Sequence, residues 1–133
     1  MAYVVGAVLA LAVGLFGTTT GLDRERGFYT TITIVIAFLY SLFAVMGGSP
    51  ATLGAELLQG TLFVVVAVIG FRGSLWLVVA ALAGHGIMDL FHGRVIANAG
   101  VPAFWPAFCS TYDVVAAGYL AWLLRSGRLR ATR

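Results

Sequence analysis

Three acids and two histidines, Glu56, His85, Asp89, His92 and Asp113, lie in stretches that are otherwise apolar and carry no Lys or Arg beside them. An ionisable group in hydrocarbon is costly, so each is a candidate functional residue whose partner must be another such group, a proton or a metal ion. His85, Asp89 and His92 stand at i, i+4 and i+7, one stripe of an α-helix. Two imidazoles with carboxylates suit zinc, iron or manganese, and carboxylate–histidine sites between bundle helices are an established solution. A divalent cation would also account for three acids without a basic partner. On this reading His85, Asp89 and His92 are the metal ligands, and Glu56 or Asp113 is the general base or a further ligand. A second reading has no metal. The same groups then do acid–base work or relay protons, since burial disfavours a charged carboxylate. In the third, the network only ties helices together, through hydrogen bonds that are individually modest in a membrane. The H-x-x-x-D-x-x-H spacing is not one of the zinc-protease signatures, so it leaves all three open.

The elements that must position these residues are membrane helices. The chain has 133 residues, of which 61% are hydrophobic and 10% charged. A soluble domain of this size could not hide that much apolar surface. The apolar runs are long and unbroken, unlike the short alternating segments of a β-barrel. The expected fold is an all-α polytopic membrane bundle, a single domain over residues 1–133. Five spans are expected, Ala2–Leu22, Phe28–Met46, Leu53–Gly70, Leu75–His92 and Pro106–Leu124, each near the length that crosses a bilayer. Asp23 to Gly27, Gly47 to Pro50 and Arg72 to Ser74 carry turn chemistry between them. The first span has no basic leader region and no cleavage site, and is expected to be a retained helix.

Five spans put Arg24, Arg26, Arg72, Arg125, Arg128, Arg130 and Arg133 on one side and Arg94 alone on the other. That bias predicts a cytoplasmic C-terminus, an outside N-terminus and residence in a bacterial cytoplasmic (inner) membrane. Trp105, Trp76 and Trp122 fall near the two boundaries, as an aromatic belt requires. The arginines sit at helix ends rather than on one basic face, which argues against nucleic acid as a partner. A single cysteine, Cys109, excludes an internal disulfide; it reads as apolar filler, with a soft ligand or nucleophile as the alternative. Gly6, Ala10, Gly14 and Gly17 space small residues along the first span, for close packing inside the bundle or for self-association.

With that orientation, Glu56 and Asp89 lie roughly 5 Å below the outer ends of their helices, and His85 and Asp113 about 10 Å, at 1.5 Å per residue. All five ionisable groups fall in the outer half of the membrane. Glu56 with Gln59, and Cys109 with Tyr112 and Asp113, add further polar patches, and Tyr40 and Ser41 would complete the wall. The expected site is an outward-facing pocket under the long loop that carries Arg94 and Asn98. Tyr40, Gln59, Asn98 and Tyr112 are its candidate substrate-binding residues. No Ser–His–acid triad and no phosphate loop can be built.

The run from Gly84 to His92, followed by Asn98, Pro102, Pro106, Cys109 and Asp113, resembles a family of small bacterial integral membrane proteins of unknown function. The resemblance extends to an upstream Glu56 and the Arg72-Gly73 step, and covers roughly Glu56 to Ala116. Family members often carry His-His where this chain has Phe91-His92, and a second cysteine that this chain lacks. His85 and Asp89 with Glu56 are also similar in kind to the His and acidic residues lining the pocket of the emopamil-binding and sterol-isomerase group. The family implies no activity, and the leading expectation from the residues is a metal-dependent enzyme acting on a membrane lipid or other hydrophobic molecule. A metal-free proton, ion or ligand binder and an accessory subunit of a larger membrane complex stand as alternatives. The few polar residues in the inner half argue against a transport path, and the small size argues for a homo-oligomer or a partner.

Overall fold

The computed structural model describes residues 1–132; Arg133, one of the seven arginines grouped above, lies outside the described residues. Helix α1 (Ala2–Thr20) ends at Gly21, whose φ of 79° is the left-handed cap that glycine adopts without strain. A 3₁₀ turn over Leu22–Arg24 leads to α2 (Gly27–Met46). Helix α3 (Pro50–Arg72) starts where Ser49 accepts from the Thr52 N–H at 3.2 Å, with Pro50 in the first turn. Then come α4 (Trp76–Asp89), the short α5 (His92–Val95) and α6 (Trp105–Arg125). The protein is therefore an all-α membrane helix bundle.

Four helices, α1, α2, α3 and α6, have 19, 20, 23 and 21 residues and mean hydropathies of 1.9, 2.0, 1.9 and 1.3. At 1.5 Å per residue each matches a bilayer core of about 30 Å. The expected fourth span is shorter than the sequence suggested. Helix α4 has 14 residues, about 20 Å. It stops because Leu90 N–H and Phe91 N–H bond to Ile87 and Met88, three residues back, at 3.2 and 2.9 Å. Such tightened bonds close a helix end. Four helices, not five, are thus long and apolar enough to cross by themselves, and α4 is followed by the turn Leu90–Phe91 and α5.

Arg26 defines one end of the bundle. Its guanidinium donates to the carbonyls of Gly70, Phe71 and Gly73 at 2.9–3.2 Å, and to those of Arg130 and Ala131 at 3.1 and 2.9 Å. One side chain thus satisfies the orphan carbonyls of α3 and ties down the C-terminal tail. Leu75 N–H, just before α4, donates to the same Ala131 carbonyl at 2.8 Å. Asp23 is buried beside this end, taking a 2.5 Å hydrogen bond from Thr18, which in turn meets Tyr119 Oη at 2.7 Å. The opposite end holds the C-terminus of α2, the N-terminus of α3, the end of α4, α5 and the start of α6.

Helix α1 packs on α6, α2 on α3, and α4 on α6 and α3. The small residues of α1 serve these contacts. Gly6 lies against the Phe108 carbonyl, and a Cβ on Gly14 would stand 3.0 Å from the Tyr119 ring. The stripe is buried inside the bundle, so it is not a free self-association face. Leu75, Val78, Leu82, Leu120 and Leu123 form the apolar core between α4 and α6. Val4, Val8, Leu15, Val35, Leu58 and Leu62 face outward, where hydrocarbon would cover them.

Candidate metal centre and a neighbouring histidine–glutamate pair

Two helices carry the same four-residue spacing. Helix α4 presents His85 and Asp89, and α6 presents Cys109 and Asp113, each pair at i and i+4 and so on one helix face. These faces meet because Gly86 stands where α4 crosses α6. A Cβ there would come within 2.8 Å of the Ser110 carbonyl and 3.0 Å of Asp113 Cβ. With hydrogen in its place, His85 Nδ1 reaches Asp113 Oδ2 at 2.7 Å and Asp89 Oδ2 at 3.7 Å. Cys109 Sγ lies 4.0 Å from the same Asp113 oxygen. One donor atom from each of the four residues falls within 4.8 Å of the other three. Ligands of a tetrahedral zinc ion at 2.0–2.3 Å stand about 3.3–3.8 Å apart. The set is thus within about an ångström of a closed shell.

Two atoms point to a cation more directly than the spacing does. Asp89 Oδ2 and Asp113 Oδ1 are buried and have no hydrogen-bond partner. A buried carboxylate oxygen without a donor is costly, and a bound cation satisfies it. The surroundings orient the donors as an outer shell should. Tyr40 Oη donates to Asp89 Oδ1 at 2.8 Å, which leaves Oδ2 turned to the centre. Phe63 packs edge-on against the His85 ring, centroids 4.9 Å apart.

Beside this centre lies a separate pair. His92 Nε2 meets Glu56 Oε1 and Oε2 at 2.9 and 3.1 Å. Asn98 Nδ2 donates to the same Glu56 Oε1 at 2.8 Å and to the Tyr40 carbonyl at 3.0 Å. Asn98 is set by its own loop, its Oδ1 accepting from Gly100 N–H at 3.1 Å. Gly100 in turn lies so close to the Phe43 carbonyl that no side chain fits there. Tyr40 divides the two groups, stacked on His92 at 3.7 Å with its hydroxyl on Asp89.

The structure thus brings Glu56, His85, Asp89, His92 and Asp113 to one end of the bundle, but in two sets. His92, expected as a ligand with His85 and Asp89, pairs with Glu56 instead, because the turn at Leu90–Phe91 ends the helical stripe before it. Asp113, expected as base or ligand, stands among the donors. Cys109, read as filler, joins them. Tyr40 and Asn98 act on the acids themselves. The side chain of Gln59, a half-buried residue, makes no hydrogen bond among the described residues. Tyr112 lies on the far side of Cys109, in the wall of an apolar crevice. The site is also closed rather than open: all five ionisable residues are at most 2% exposed.

No family model matches this chain, and neither any curated protein nor any solved structure shows significant similarity to it. The class that fold and site define is a multi-pass membrane helix bundle with a buried His/Asp/Cys group able to hold a metal ion.

Proposed function

We propose that this protein is a membrane metalloenzyme that holds one divalent ion at His85, Asp89, Cys109 and Asp113 and acts on a lipid or other hydrophobic molecule. The observation that carries the metal is the buried four-donor set itself, whose two carboxylates each keep one oxygen, Asp89 Oδ2 and Asp113 Oδ1, without a hydrogen-bond partner. Two carboxylates and a thiolate would bring three negative charges with no Arg among them, and a divalent cation would offset two of the three. A thiolate with an imidazole favours zinc or iron over the hard cations, with manganese third. Such an ion, when bound, supplies a Lewis acid or an activated water.

The chain's own residues prepare that chemistry. His85 Nδ1 is the nitrogen that faces both carboxylates and would be the one to hold the ion. Tyr40 holds Asp89 in register. The hydrophobic substrate is suggested by a crevice of about 250 Å³ between α1, α2 and α6, walled by Leu9, Ile36, Leu39, Phe108 and Tyr112 and reaching Cys109. Glu56, paired with His92, is the nearby base held outside the donor set. The arginines support the orientation: six of the described ones lie at the Arg26 end and Arg94 at the other, so the Arg26 end is cytoplasmic. The metal centre then lies toward the outer leaflet of a bacterial inner membrane.

A metal-free proton-binding network is the second reading, favoured by the short His85–Asp113 and Tyr40–Asp89 contacts. Cobalt separates the two. On adding Co²⁺ to metal-stripped protein in detergent, a sulfur-to-cobalt charge-transfer band is expected at one equivalent. Cys109→Ser is expected to lose that band and keep weaker visible bands from the remaining donors. Absence of saturable cobalt absorption in the wild type would leave the proton-binding reading standing.

A further inference from the structure

The Arg26 end of the bundle carries a cavity that the metal centre does not use. It measures about 640 Å³, and Arg24, Arg26, Arg128 and Arg130 stand in its wall with Glu25 the acid beside them. Its sides come from the turn between α1 and α2 and from the C-terminal tail folded back over it. The tail is held there, not splayed: Leu129 is buried, the Ala131 carbonyl takes bonds from Leu75 and Arg26, and Arg128 lies 4.6 Å over the Trp122 ring. Among the described residues, Arg24, Arg128 and Arg130 have no carboxylate within ion-pair distance. Although Asp23 shares a neighbouring pocket with Arg24 and Arg128, these three arginines stand in no ion pair among the described residues and suit a phosphate, whose oxygens match the guanidinium fork.

A second feature decides which phosphate. Glu25 and Gly27 also belong to an adjoining groove of about 370 Å³, otherwise walled by Leu22, Phe28, Thr31 and Ile32. That groove runs along the first turns of α2, on the side where hydrocarbon would lie. A free phosphate or a soluble phosphoester would use the arginines and leave the groove empty. A phospholipid fills both. We propose that this protein binds an anionic phospholipid here, its phosphate between Arg24, Arg128 and Arg130 and one acyl chain in the α2 groove. Arg26, which also lines the cavity, is held by its bonds to backbone carbonyls. The site is independent of the metal centre, on other helix ends and with other residues.

The test uses the full chain, delipidated in a neutral detergent, with thermal unfolding followed during titration with short-chain phosphatidylglycerol. Phosphatidylcholine of the same chain length and inorganic phosphate are the parallel arms. Saturable stabilisation by phosphatidylglycerol is expected at a concentration at least tenfold below that of phosphatidylcholine, with no saturable effect of phosphate. Arg128→Gln with Arg130→Gln is expected to weaken the lipid by roughly thirtyfold, two cationic groups being removed. Arg24→Gln alone gives the same direction should the double variant fold poorly. Glu25→Gln is expected to tighten binding, and Ile32→Trp, which fills the groove, to weaken it. Equal responses to the two lipids would overturn the proposal. So would inorganic phosphate matching phosphatidylglycerol, which would mean a free-anion site, or glutamine variants that leave the lipid response unchanged.

Discussion

Gly86→Val is expected to weaken metal binding by about 10- to 100-fold, the range for disturbing the support of a metal site, though it alters none of the four donors. Gly86 is the point at which α4 and α6 touch, and its added side chain would meet the Ser110 backbone rather than a flexible side chain. The helices must separate or the donors must twist, at an overpacking cost of about 1–3 kcal/mol. His85 and Asp89 move with α4, Cys109 and Asp113 with α6, so any separation opens the shell between the two pairs. Competition against a chelator of known affinity measures the change. Gly84→Ala is the control two residues away, because a Cβ there meets only a Phe63 ring atom at 3.8 Å. Equal affinity in Gly86→Val and wild type would mean that the α4–α6 crossing does not form the site.

The second large effect is expected at the Glu56–His92 pair. His92→Ala should cost about 3 kcal/mol of stability, the upper end of the roughly 1–3 kcal/mol for leaving a buried polar group short of its hydrogen-bond partner. The upper end applies because Glu56 is left with Asn98 alone. The substitution also removes the ring stacked on Tyr40. Changing both members to leucine removes the stranded carboxylate and is expected to recover much of the loss. Unfolding in detergent of the two single variants and the double variant closes the cycle. Additive losses would show that the two side chains do not act as a pair. Metal binding should survive His92→Ala, which separates this pair from the centre beyond Tyr40.

Much of the fold could be read from the chain because hydrocarbon demands long apolar helices and tolerates few breaks. Gly47-Gly48 and Ser49-Pro50 marked ends that the structure keeps, whereas Gly21, expected inside the first span, is the residue that caps α1. The gathering of Glu56, His85, Asp89, His92 and Asp113 at one end followed from helix direction and depth alone. Their division into two sets did not. It depends on three-residue hydrogen bonds at Leu90 and Phe91, which no strong helix breaker announces, and they take His92 off the stripe of His85 and Asp89. Cys109 was within reach of sequence reasoning. The Cys109-x-x-x-Asp113 spacing on one helix repeats His85-x-x-x-Asp89 on another, a signal a single-residue reading passes over. Gly86 inside the His85–Asp89 segment was the matching sign of close helix approach. Arg26 was legible only as a topology marker. Its bonds to carbonyls more than forty residues away depend on where α3 and the tail end in space.

The most direct measurement is the metal content of detergent-purified protein, wild type beside His85→Ala and His92→Ala. Near-stoichiometric zinc or iron in the wild type and in His92→Ala, with little in His85→Ala, is the predicted result. Metal lost equally from both histidine variants would contradict the two-set arrangement. No metal in the wild type, even after reconstitution with zinc, iron and manganese, would contradict the metal centre itself.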